Sequence, residues 1–475
     1  MESESIALPT WLYPITKCLT SISLNCKVVK SFFEKILKNF KIIEISIIII
    51  YNKIDKIKVR RYIMEFCKEK LSFYPKHLLD YQLERYKRTA IDFKDAFGYE
   101  AQFVFSAPGR SEICGNHTDH NLGKAVGASI NLDTLAFVAK RDDGKICIKA
   151  KGFGDINIDI TKLEKVDREE GNSTSLVKGV CKKYTDMGYN IGGFDAFTTN
   201  DVLKGSGLSS SAAFEIIMAF ILNSLYNDEK IDAKTMAIAS QYAENVYFGK
   251  ASGLLDQLSC AYGGIISIDF ENPTDPIVQK LPFDFTATGY SMVITDTRCD
   301  HADLTDDYVA IKSEMQAVAG YFGKQVLREV DYDDFFDALP NLKAKLPERA
   351  LIRAFHYFNE NENVIKLANA LKDNDFNKFL SIVNRSGMSS FRYLQNIYSD
   401  KKPTSQGMSL AVCLSEQLLD GKGASRVHGG GFGGTMQAYV PNDMVDTYVK
   451  KMESVFGDGC CYLLKIRDVG PIRVY

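Results

Sequence analysis

Apolar positions follow helical spacing in some segments of the chain and strand-like spacing in others, and the two kinds are mixed. Between Lys76 and Phe97 apolar residues recur every three or four positions, which predicts a helix that Gly98 ends. Strands are predicted at 102–106, 124–139, 145–149, 156–160, 263–270, 291–297, 424–428, 435–440 and 461–466. Further helices are predicted at 209–225, 233–248, 304–322, within 330–420 and at 444–456. Without a strict strand–helix alternation, this order favours an α+β fold with two domains.

The pattern divides the chain into an extension and two domains. We predict domains at 64–285 and 286–475, joined by a proline-containing loop or linker at 271–282. Residues 1–61 carry 11 Lys and Arg against 5 Asp and Glu and contain no glycine. Two interpretations of the extension 1–63 stay open: a basic amphipathic surface segment, or a dispensable extension upstream of a start at Met64, which we prefer.

Composition narrows the class of protein. The chain has 475 residues, 45% hydrophobic and 25% charged, with a net charge of −2, so nothing favours nucleic acid as a partner. The apolar run Ile42–Tyr51 falls short of the roughly 18 residues of a membrane span, so we expect no stable membrane insertion. The 11 cysteines form no C-x-x-C pair, which indicates reduced thiols and a cytoplasmic location.

A glycine- and serine-rich segment, Gly205–Ala213, precedes a strong helical pattern. Glycines let backbone N–H groups approach an anion, and a helix start favours negative charge, so the segment predicts a phosphate site. The alternative is a plain serine-capped helix, for which one serine would suffice. The chain has no Walker A loop, no protein-kinase signature and no dinucleotide fingerprint.

Polar residues also gather between the first two apolar strands, where 106–121 contains Arg110, Glu112, His117, Asp119 and His120. This density of donors and acceptors suits the hydroxyls of a sugar. Taken singly, each histidine is more often structural or exposed. A metal site here is disfavoured, because no second cluster of ligands supports it.

Two further segments carry candidate chemistry. Glu244 and Asp256 flank a glycine-containing turn, so they are able to supply a Mg²⁺ ligand and a group that receives a hydroxyl proton, although either is also readable as a surface acid. The run 429–434 has glycine at five of six positions between predicted strands, which indicates a tight loop rather than a tether.

Three motifs in this order resemble the GHMP kinases and, within that superfamily, the galactokinases. The first family signature, roughly G-R-[VT]-N-[LI]-I-G-E-H-T-D-Y-N, is matched by Gly109–Asn121; Gly207–Ala212 reads G-L-S-S-S-A, and Gly429–Gly434 reads G-G-G-F-G-G. The resemblance covers about residues 80–475. It implies a domain similar to ribosomal protein S5 domain 2, followed by a ferredoxin-like domain, with the active site between them.

The resemblance also implies roles for particular residues, ATP and Mg²⁺ as cofactors, and a monomer that phosphorylates galactose at its C1 hydroxyl. Asp256 matches the catalytic aspartate, and Arg110 matches the arginine that stabilises its charge and the transferring group. Positions matching sugar contacts are Arg110, Asn116, His117, Asp119, Gly253, Asp256 and Tyr308. The phosphate loop matches Gly205, Ser206, Gly207, Leu208, Ser209, Ser210 and Ser211, and the Mg²⁺ ligands match Ser211 and Glu244.

Two residues depart from the family pattern. Asn116 stands where the family has the glutamate that bonds a distant sugar hydroxyl, and Glu112 stands where it has asparagine. We hypothesise that Glu112 partly compensates for the lost charge. The departures keep open a kinase for a related sugar such as N-acetylgalactosamine. The third hypothesis is a ligand-binding sensor without turnover. It is disfavoured because the serine–alanine element of the phosphate loop, Ser210–Ala213, is intact and Asp256 is present.

Overall fold

The computed structural model describes residues 66–150, 154–202, 207–250, 252–299 and 304–475. Contacts gather Cys67–Tyr475 into one compact unit. The predicted extension 1–63 lies outside the described residues, so both interpretations of it stay predictions. Within the described residues, no helix combines the length and the apolar character that a membrane span needs.

The first sheet contains seven strands of the described chain up to residue 281, in the order β1-β2-β5-β3-β4, with β6 paired to β2 and β7 paired to β6. All these pairs are antiparallel except β3 with β5. The strands are β1 (Phe103–Cys114), β2 (Lys124–Arg141), β3 (Lys145–Ala150), β4 (Ile156–Asp159), β5 (Gly193–Asn200), β6 (Ile265–Asp269) and β7 (Ile277–Leu281).

Helices that contact this sheet or one another occur in the described chain up to residue 262. They are α1 (Leu79–Phe97), α2 (Ser173–Asp186), α3 (Ser210–Tyr226), α4 (Ala233–Tyr242), which continues as a π-helical turn Ala243–Phe248, and α5 (Leu255–Tyr262). Helix α3 is apolar around most of its circumference and is therefore buried among β1, β2, α4 and α5. Its N-terminus is consequently fixed by core packing.

The second sheet contains four strands of the described chain, β8 (Tyr290–Asp296), β9 (Ala424–Val427), β10 (Thr435–Pro441) and β11 (Cys461–Leu464), in the antiparallel order β11-β8-β10-β9. The final strand, β12 (Ile472–Arg473), pairs with β1 in the first sheet. The predicted boundary between 285 and 286 therefore falls between the two sheets, but it assigns β12 to the second domain although that strand pairs with the first sheet. The boundary itself stays a prediction.

Seven helices of the described residues follow β8. They are α6 (Thr305–Tyr321), α7 (Tyr332–Asp337), α8 (Leu339–Lys343), α9 (Glu348–Lys372), α10 (Phe376–Ser389), α11 (Gly407–Leu419) and α12 (Val445–Phe456). Helix α9 packs against β1 and β2, so it supports the polar loop between them. The short elements are 3₁₀ turns at Lys68–Leu71, Lys76–Leu78, Asp119–Asn121, Asp167–Glu169, Phe285–Thr288 and Leu327–Glu329, and a π-helical turn at Ser390–Leu394.

The prediction of a loop or linker over 271–282 is wrong, because β7 occupies Ile277–Leu281. The three prolines of this segment flank the strand and do not interrupt it. Among the described strands, β7 pairs only with β6, so it lies at an edge, where prolines next to a strand are tolerated. Proline content alone was therefore a misleading signal here.

A buried charge cluster joins helix α1, strand β2 and the C-terminal segment. Asp133, which is fully buried, accepts a hydrogen bond from Arg85 Nη1 at 2.6 Å. Its other carboxylate oxygen accepts from Tyr74 and Ser106, and Arg467 Nη1 lies 3.4 Å from it. Removing one partner of such a buried cluster costs far more than an exposed pair does.

Replacing Asp133 by alanine is expected to lower the free energy of unfolding by about 3–5 kcal/mol, because Arg467 then remains buried without its carboxylate. Urea unfolding measures the change. The matched control is Glu84→Ala on helix α1, where the side chain is 76% exposed, with an expected change within about 0.5 kcal/mol. Equal losses for the two variants would contradict the structural role of the cluster.

Candidate active site

Strand β1 brings Arg110 against the glycine- and serine-rich segment. Its pairing with β2 shifts register between Pro108 and Arg110, and such an irregularity redirects the side chains that follow. A Cβ on Gly109 would lie 2.9 Å from the carbonyl oxygen of Leu208, so glycine permits this close approach. The backbone N–H of Arg110 donates to that same oxygen at 3.2 Å. Strand and segment are therefore held together by backbone contact.

Arg110 and Asp256 form an ion pair at this contact. Arg110 Nε donates to Asp256 Oδ1 at 2.7 Å, and Nη2 lies 2.6 Å from the same oxygen. The third nitrogen, Nη1, donates to the carbonyl oxygen of Gly207. The arginine side chain is 7% exposed and the aspartate 25%. The guanidinium is thus enclosed, whereas part of the carboxylate remains accessible to a ligand.

The pair keeps Asp256 ionised. Burial alone would raise the pKa of Asp256, but the charge of Arg110 and a hydrogen bond from Ser209 outweigh it and hold this pKa below its usual value. Ser209 Oγ donates to Asp256 Oδ2. At neutral pH the carboxylate is therefore a strong hydrogen-bond acceptor and a weak base.

The start of helix α3 lacks a side-chain cap. Ser209 precedes the helix with φ +59°, and its hydroxyl makes no capping hydrogen bond, because it binds Asp256. Gly207 also has a positive φ, +69°. This geometry disfavours the plain serine-capped helix. Leu208 is buried and Ser210 opens the helix, while the predicted phosphate-loop residues Gly205 and Ser206 lie outside the described residues.

Ser211, in the first turn of helix α3, contacts Glu244. Ser211 Oγ donates to Glu244 Oε1 at 3.0 Å, and Lys250 Nζ donates to the same oxygen at 2.7 Å. Ser252 Oγ and Gln257 Nε2 donate to Oε2 at 2.6 and 2.8 Å. Glu244 lies in the π-helical turn after α4, a kind of irregularity that is frequent at functional sites, and is 1% exposed.

The sequence did not single out Glu215, which lies beside Glu244. It is fully buried, its Oε2 accepts from Gln257 Nε2 at 3.0 Å, and its Oε1 has no hydrogen-bond partner in the described structure. Burial, reinforced by the charge of Glu244, raises the pKa of Glu215 well above its usual value. The raised pKa favours the protonated, neutral form of Glu215 beside the side chain of Glu244.

The oxygens of Ser211 and Glu244 fit a Mg²⁺ ion that is otherwise held by phosphate and water, since Mg²⁺ commonly takes only one or two protein ligands. Lys250 shows that a cation is accepted at Glu244, and its own side chain is 55% exposed. No cluster of three or more His, Cys, Asp or Glu side chains able to hold a metal occurs within the described ranges.

Four of the predicted sugar-contacting residues lie together. His117, with φ 57°, donates from Nε2 to the Gly430 carbonyl oxygen at 2.9 Å, and its ring stacks on Tyr308 with centroids 6.1 Å apart. Burial, with the neighbouring His120, lowers the pKa of His117 to about 4, so the ring is neutral at pH 7. A Cβ on Gly253 would lie 1.7 Å from Asp119 Oδ2, so only glycine fits against that carboxylate.

The two residues that depart from the family pattern contact each other. Asn116 Nδ2 donates to Glu112 Oε1 at 3.0 Å, and Arg426 Nη2 donates to the same oxygen at 2.8 Å. Asn116 is 1% exposed and Glu112 is 6% exposed. The Asn116 side chain is therefore buried and hydrogen-bonded to other protein groups. A direct sugar contact by Asn116 stays a prediction.

The loop 429–434 closes over this region and is tight, as its glycines predicted. A Cβ on Gly430 would lie 2.6 Å from the Tyr308 ring, and one on Gly431 would lie 2.1 Å from the Asn396 carbonyl oxygen. Tyr308 Oη donates to the Gly431 carbonyl oxygen at 3.1 Å. Glycine is therefore required here because other elements touch the loop backbone.

Sequence reasoning missed several buried polar residues that support the site. His428, directly before the loop, links Ser111 Oγ and Thr435 Oγ1 through its two ring nitrogens, each at 3.0 Å. On helix α9, Glu360 Oε1 accepts from the Gly115 backbone N–H at 3.0 Å. The glycine run marked the neighbourhood of His428, whereas no local pattern marked Glu360.

Comparisons with known proteins agree with this geometry. Family models for the galactokinase galactose-binding signature and the GHMP kinases N terminal domain match residues 91–140 and 175–264. The chain is 30% identical over 370 residues to a galactokinase of Streptomyces coelicolor, covering 77% of this chain and 91% of that protein. It is 32% identical over 366 residues to a galactokinase of Glaesserella parasuis, covering 75% and 90%.

Solved structures give the same result at the level of the fold. The Lactococcus lactis galactokinase complexed with galactose superposes with a TM-score of 0.68 at 25% identity, covering 80% of this chain and 97% of that one. A mevalonate kinase superposes with a TM-score of 0.56 at 12% identity, covering 77% and 100%, and it supports the fold alone. Together with the two sheets and the three motifs, these matches show that the chain has the GHMP kinase fold and belongs to the galactokinase family.

Proposed function

We propose that this chain transfers the terminal phosphoryl group of ATP to the C1 hydroxyl of galactose, giving galactose 1-phosphate and ADP. The observation that carries the proposal is the Arg110–Asp256 pair, which holds an ionised carboxylate beside the start of helix α3. Membership of the galactokinase family supports galactose as the acceptor, and the Lactococcus lactis relative was solved with that sugar.

Asp256 accepts a hydrogen bond from the sugar hydroxyl and directs its oxygen toward the phosphoryl group. Because the pKa of Asp256 lies below its usual value, the carboxylate does not remove the proton in advance. It receives the proton as the hydroxyl oxygen bonds to phosphorus and the hydroxyl becomes acidic. Burial lowers the pKa of Arg110, but Asp256 outweighs burial and the net shift is upward, so the guanidinium stays charged beside the transferring group.

The phosphates of ATP are bound at the N-terminal end of helix α3. Gly207, Leu208, Ser209, Ser210 and Ser211, preceded by Gly205 and Ser206, form the loop that faces them. The helix N-terminus supplies backbone N–H groups and a favourable dipole for anions. Ser211 and Glu244 would hold a Mg²⁺ ion, which when bound neutralises phosphate charge.

The acceptor sugar lies against the neutral ring of His117, the carboxylate of Asp119, the backbone at Gly253 and the ring of Tyr308. These groups offer a donor or acceptor to several hydroxyls, together with an aromatic surface. We further propose a cytoplasmic monomer without a nucleic-acid or membrane partner. The nine described cysteines, all free thiols, support the location.

A kinase for N-acetylgalactosamine is the second candidate, and Asn116 is the observation that favours it. The Asn116 amide binds the Gly429 carbonyl oxygen in the loop beside the proposed sugar subsite, so an amide in place of a carboxylate alters that subsite through the loop. A sensor without turnover is disfavoured, because two hydrogen-bonded pairs suited to catalysis, Ser209 with Asp256 and Ser211 with Glu244, are both in place.

A coupled ADP-release assay over galactose, N-acetylgalactosamine, glucose, homoserine and mevalonate tests the substrate. We expect galactose to have the highest kcat/KM, at least about 10-fold above N-acetylgalactosamine, a discrimination that one pocket readily supplies. An EDTA arm should abolish ADP release, and excess Mg²⁺ should restore it. A higher kcat/KM for another acceptor would replace galactose, and no acceptor-dependent ADP release would contradict the proposal.

Asp256→Ala is expected to lower kcat by at least about 100-fold, because the hydroxyl then has neither an orienting acceptor nor a proton acceptor. Stopped or continuous ADP-release kinetics measure the loss. Asp306→Asn is the matched control, since Asp306 also lies in the first turn of a helix but is 82% exposed, and it should leave kcat unchanged. Near-normal turnover by Asp256→Ala would remove Asp256 from the mechanism.

A further inference from the structure

Glu112 and Asn116 are joined to one buried guanidinium. The single oxygen Glu112 Oε1 accepts from Asn116 Nδ2 at 3.0 Å and from Arg426 Nη2 at 2.8 Å. Arg426 is fully buried, and its Nη1 donates to the Ile113 carbonyl oxygen. In the described structure Glu112 is the carboxylate that forms an ion pair with Arg426. Glu112 therefore neutralises a charge that has no access to water.

The amide of Asn116 has its orientation fixed by its neighbours. Nδ2 faces two acceptors, Glu112 Oε1 and the Gly429 carbonyl oxygen at 2.7 Å, whereas Oδ1 accepts from Asn396 Nδ2 at 2.7 Å. Both amide protons are used, and exposure of the residue is 1%. A carboxylate at 116 would place one oxygen against both of these acceptors.

The same contacts fix the loop beside the sugar subsite. Asn116 holds the Gly429 carbonyl, and Asn396 Nδ2, which donates to Asn116, lies 3.1 Å from the Gly430 carbonyl oxygen. That Gly430 oxygen also accepts from His117 Nε2. The position of His117 therefore depends on where Asn116 holds the loop.

Compared with the signature that Gly109–Asn121 resembles, these two positions carry exchanged residues: glutamate stands where asparagine is usual, and asparagine where glutamate is usual. The hydrogen bond between them shows that the exchange lies within one contact pair. The pair retains one carboxylate and one amide, with the carboxylate now on the strand, next to Arg426.

We propose that Glu112 and Asn116 are one coupled positioning pair, in which the carboxylate neutralises Arg426 and the amide clamps the glycine loop behind His117. Asn116 on this view acts on the sugar through the loop and not by touching it. The kinetic part rests on the proposed function; the coupling itself does not.

The pair predicts that each single substitution is unfavourable, for a different physical reason in each case. Asn116→Asp keeps the shape but sets a second carboxylate against Glu112 and the Gly429 carbonyl, which is unfavourable in a buried site. Glu112→Gln keeps the shape but leaves Arg426 without its carboxylate. The double variant restores one carboxylate and one amide, so part of each loss is recovered.

An isosteric double-mutant cycle tests this coupling. We expect Asn116→Asp and Glu112→Gln each to lower kcat/KM for galactose at least about 10-fold, mainly through KM for the sugar and with KM for ATP unchanged. The kcat/KM of the double variant, relative to the unaltered protein, should be at least about 10-fold higher than the product of the two relative kcat/KM values of the single variants. The control cycle pairs Glu112→Gln with the exposed Asp306→Asn and should be multiplicative within about two-fold.

Urea unfolding midpoints of the same four proteins give the coupling independently of turnover, including for variants that fold but do not bind sugar. Multiplicative kinetics together with additive unfolding would overturn the pair, as would Glu112→Gln with unchanged KM and kcat. If the parent chain turns over no galactose while the unfolding cycle is coupled, the proposed function fails and the pair stands.

Discussion

The ion pair between Arg110 and Asp256 is the interaction on which the site depends. It joins strand β1 to helix α5, and Arg110 also binds the Gly207 carbonyl oxygen, so three separate chain segments meet at one guanidinium. Without that charge, burial would favour the protonated form of Asp256. With it, the carboxylate is ionised and oriented, which suits a reaction that needs positioning more than a strong base.

A second constraint is steric. Gly109, Gly253, Gly430 and Gly431 each lie where a Cβ would collide with backbone or with a side chain of the site. They let β1, the turn before α5 and the closing loop approach one another closely enough for short contacts. The charged groups of the site are therefore held in fixed positions, because the elements that carry them pack closely against one another at glycines.

The sequence predicted most elements with strong periodicity, and the structure has them with small changes at the ends. Helix α2 and strand β5 gave too weak a pattern to be predicted, and the prolines around β7 hid an edge strand. The predicted strand at 102–106 continues to Cys114, because the polar residues Arg110 and Glu112 lie on β1 itself and are buried there. The pattern of apolar and polar residues does not reveal the full length of a strand when some of its polar side chains belong to a buried site.

The candidate residues came from short motifs, and the structure brings Arg110, Ser209 and Asp256 into direct contact. What no motif supplied were contacts between residues far apart in sequence, such as Arg426 with Glu112 and Glu360 with the Gly115 amide. Burial and charge balance across long sequence distances decide these contacts, and neither is visible in a local pattern. The partners of a buried charge are known only once the fold brings them together.

The most direct test is a pH titration of Asp256 by carbon-13 NMR of the carboxylate in the intact protein, with the signal assigned by its loss in Asp256→Asn. An ordinary aspartate has a pKa of about 3.9 and is roughly half protonated at that pH. The structure predicts that the midpoint of the Asp256 titration lies below this value, and that Arg110→Gln moves the midpoint to higher pH. A midpoint at or above the ordinary value in the unaltered protein would contradict the central role of the ion pair.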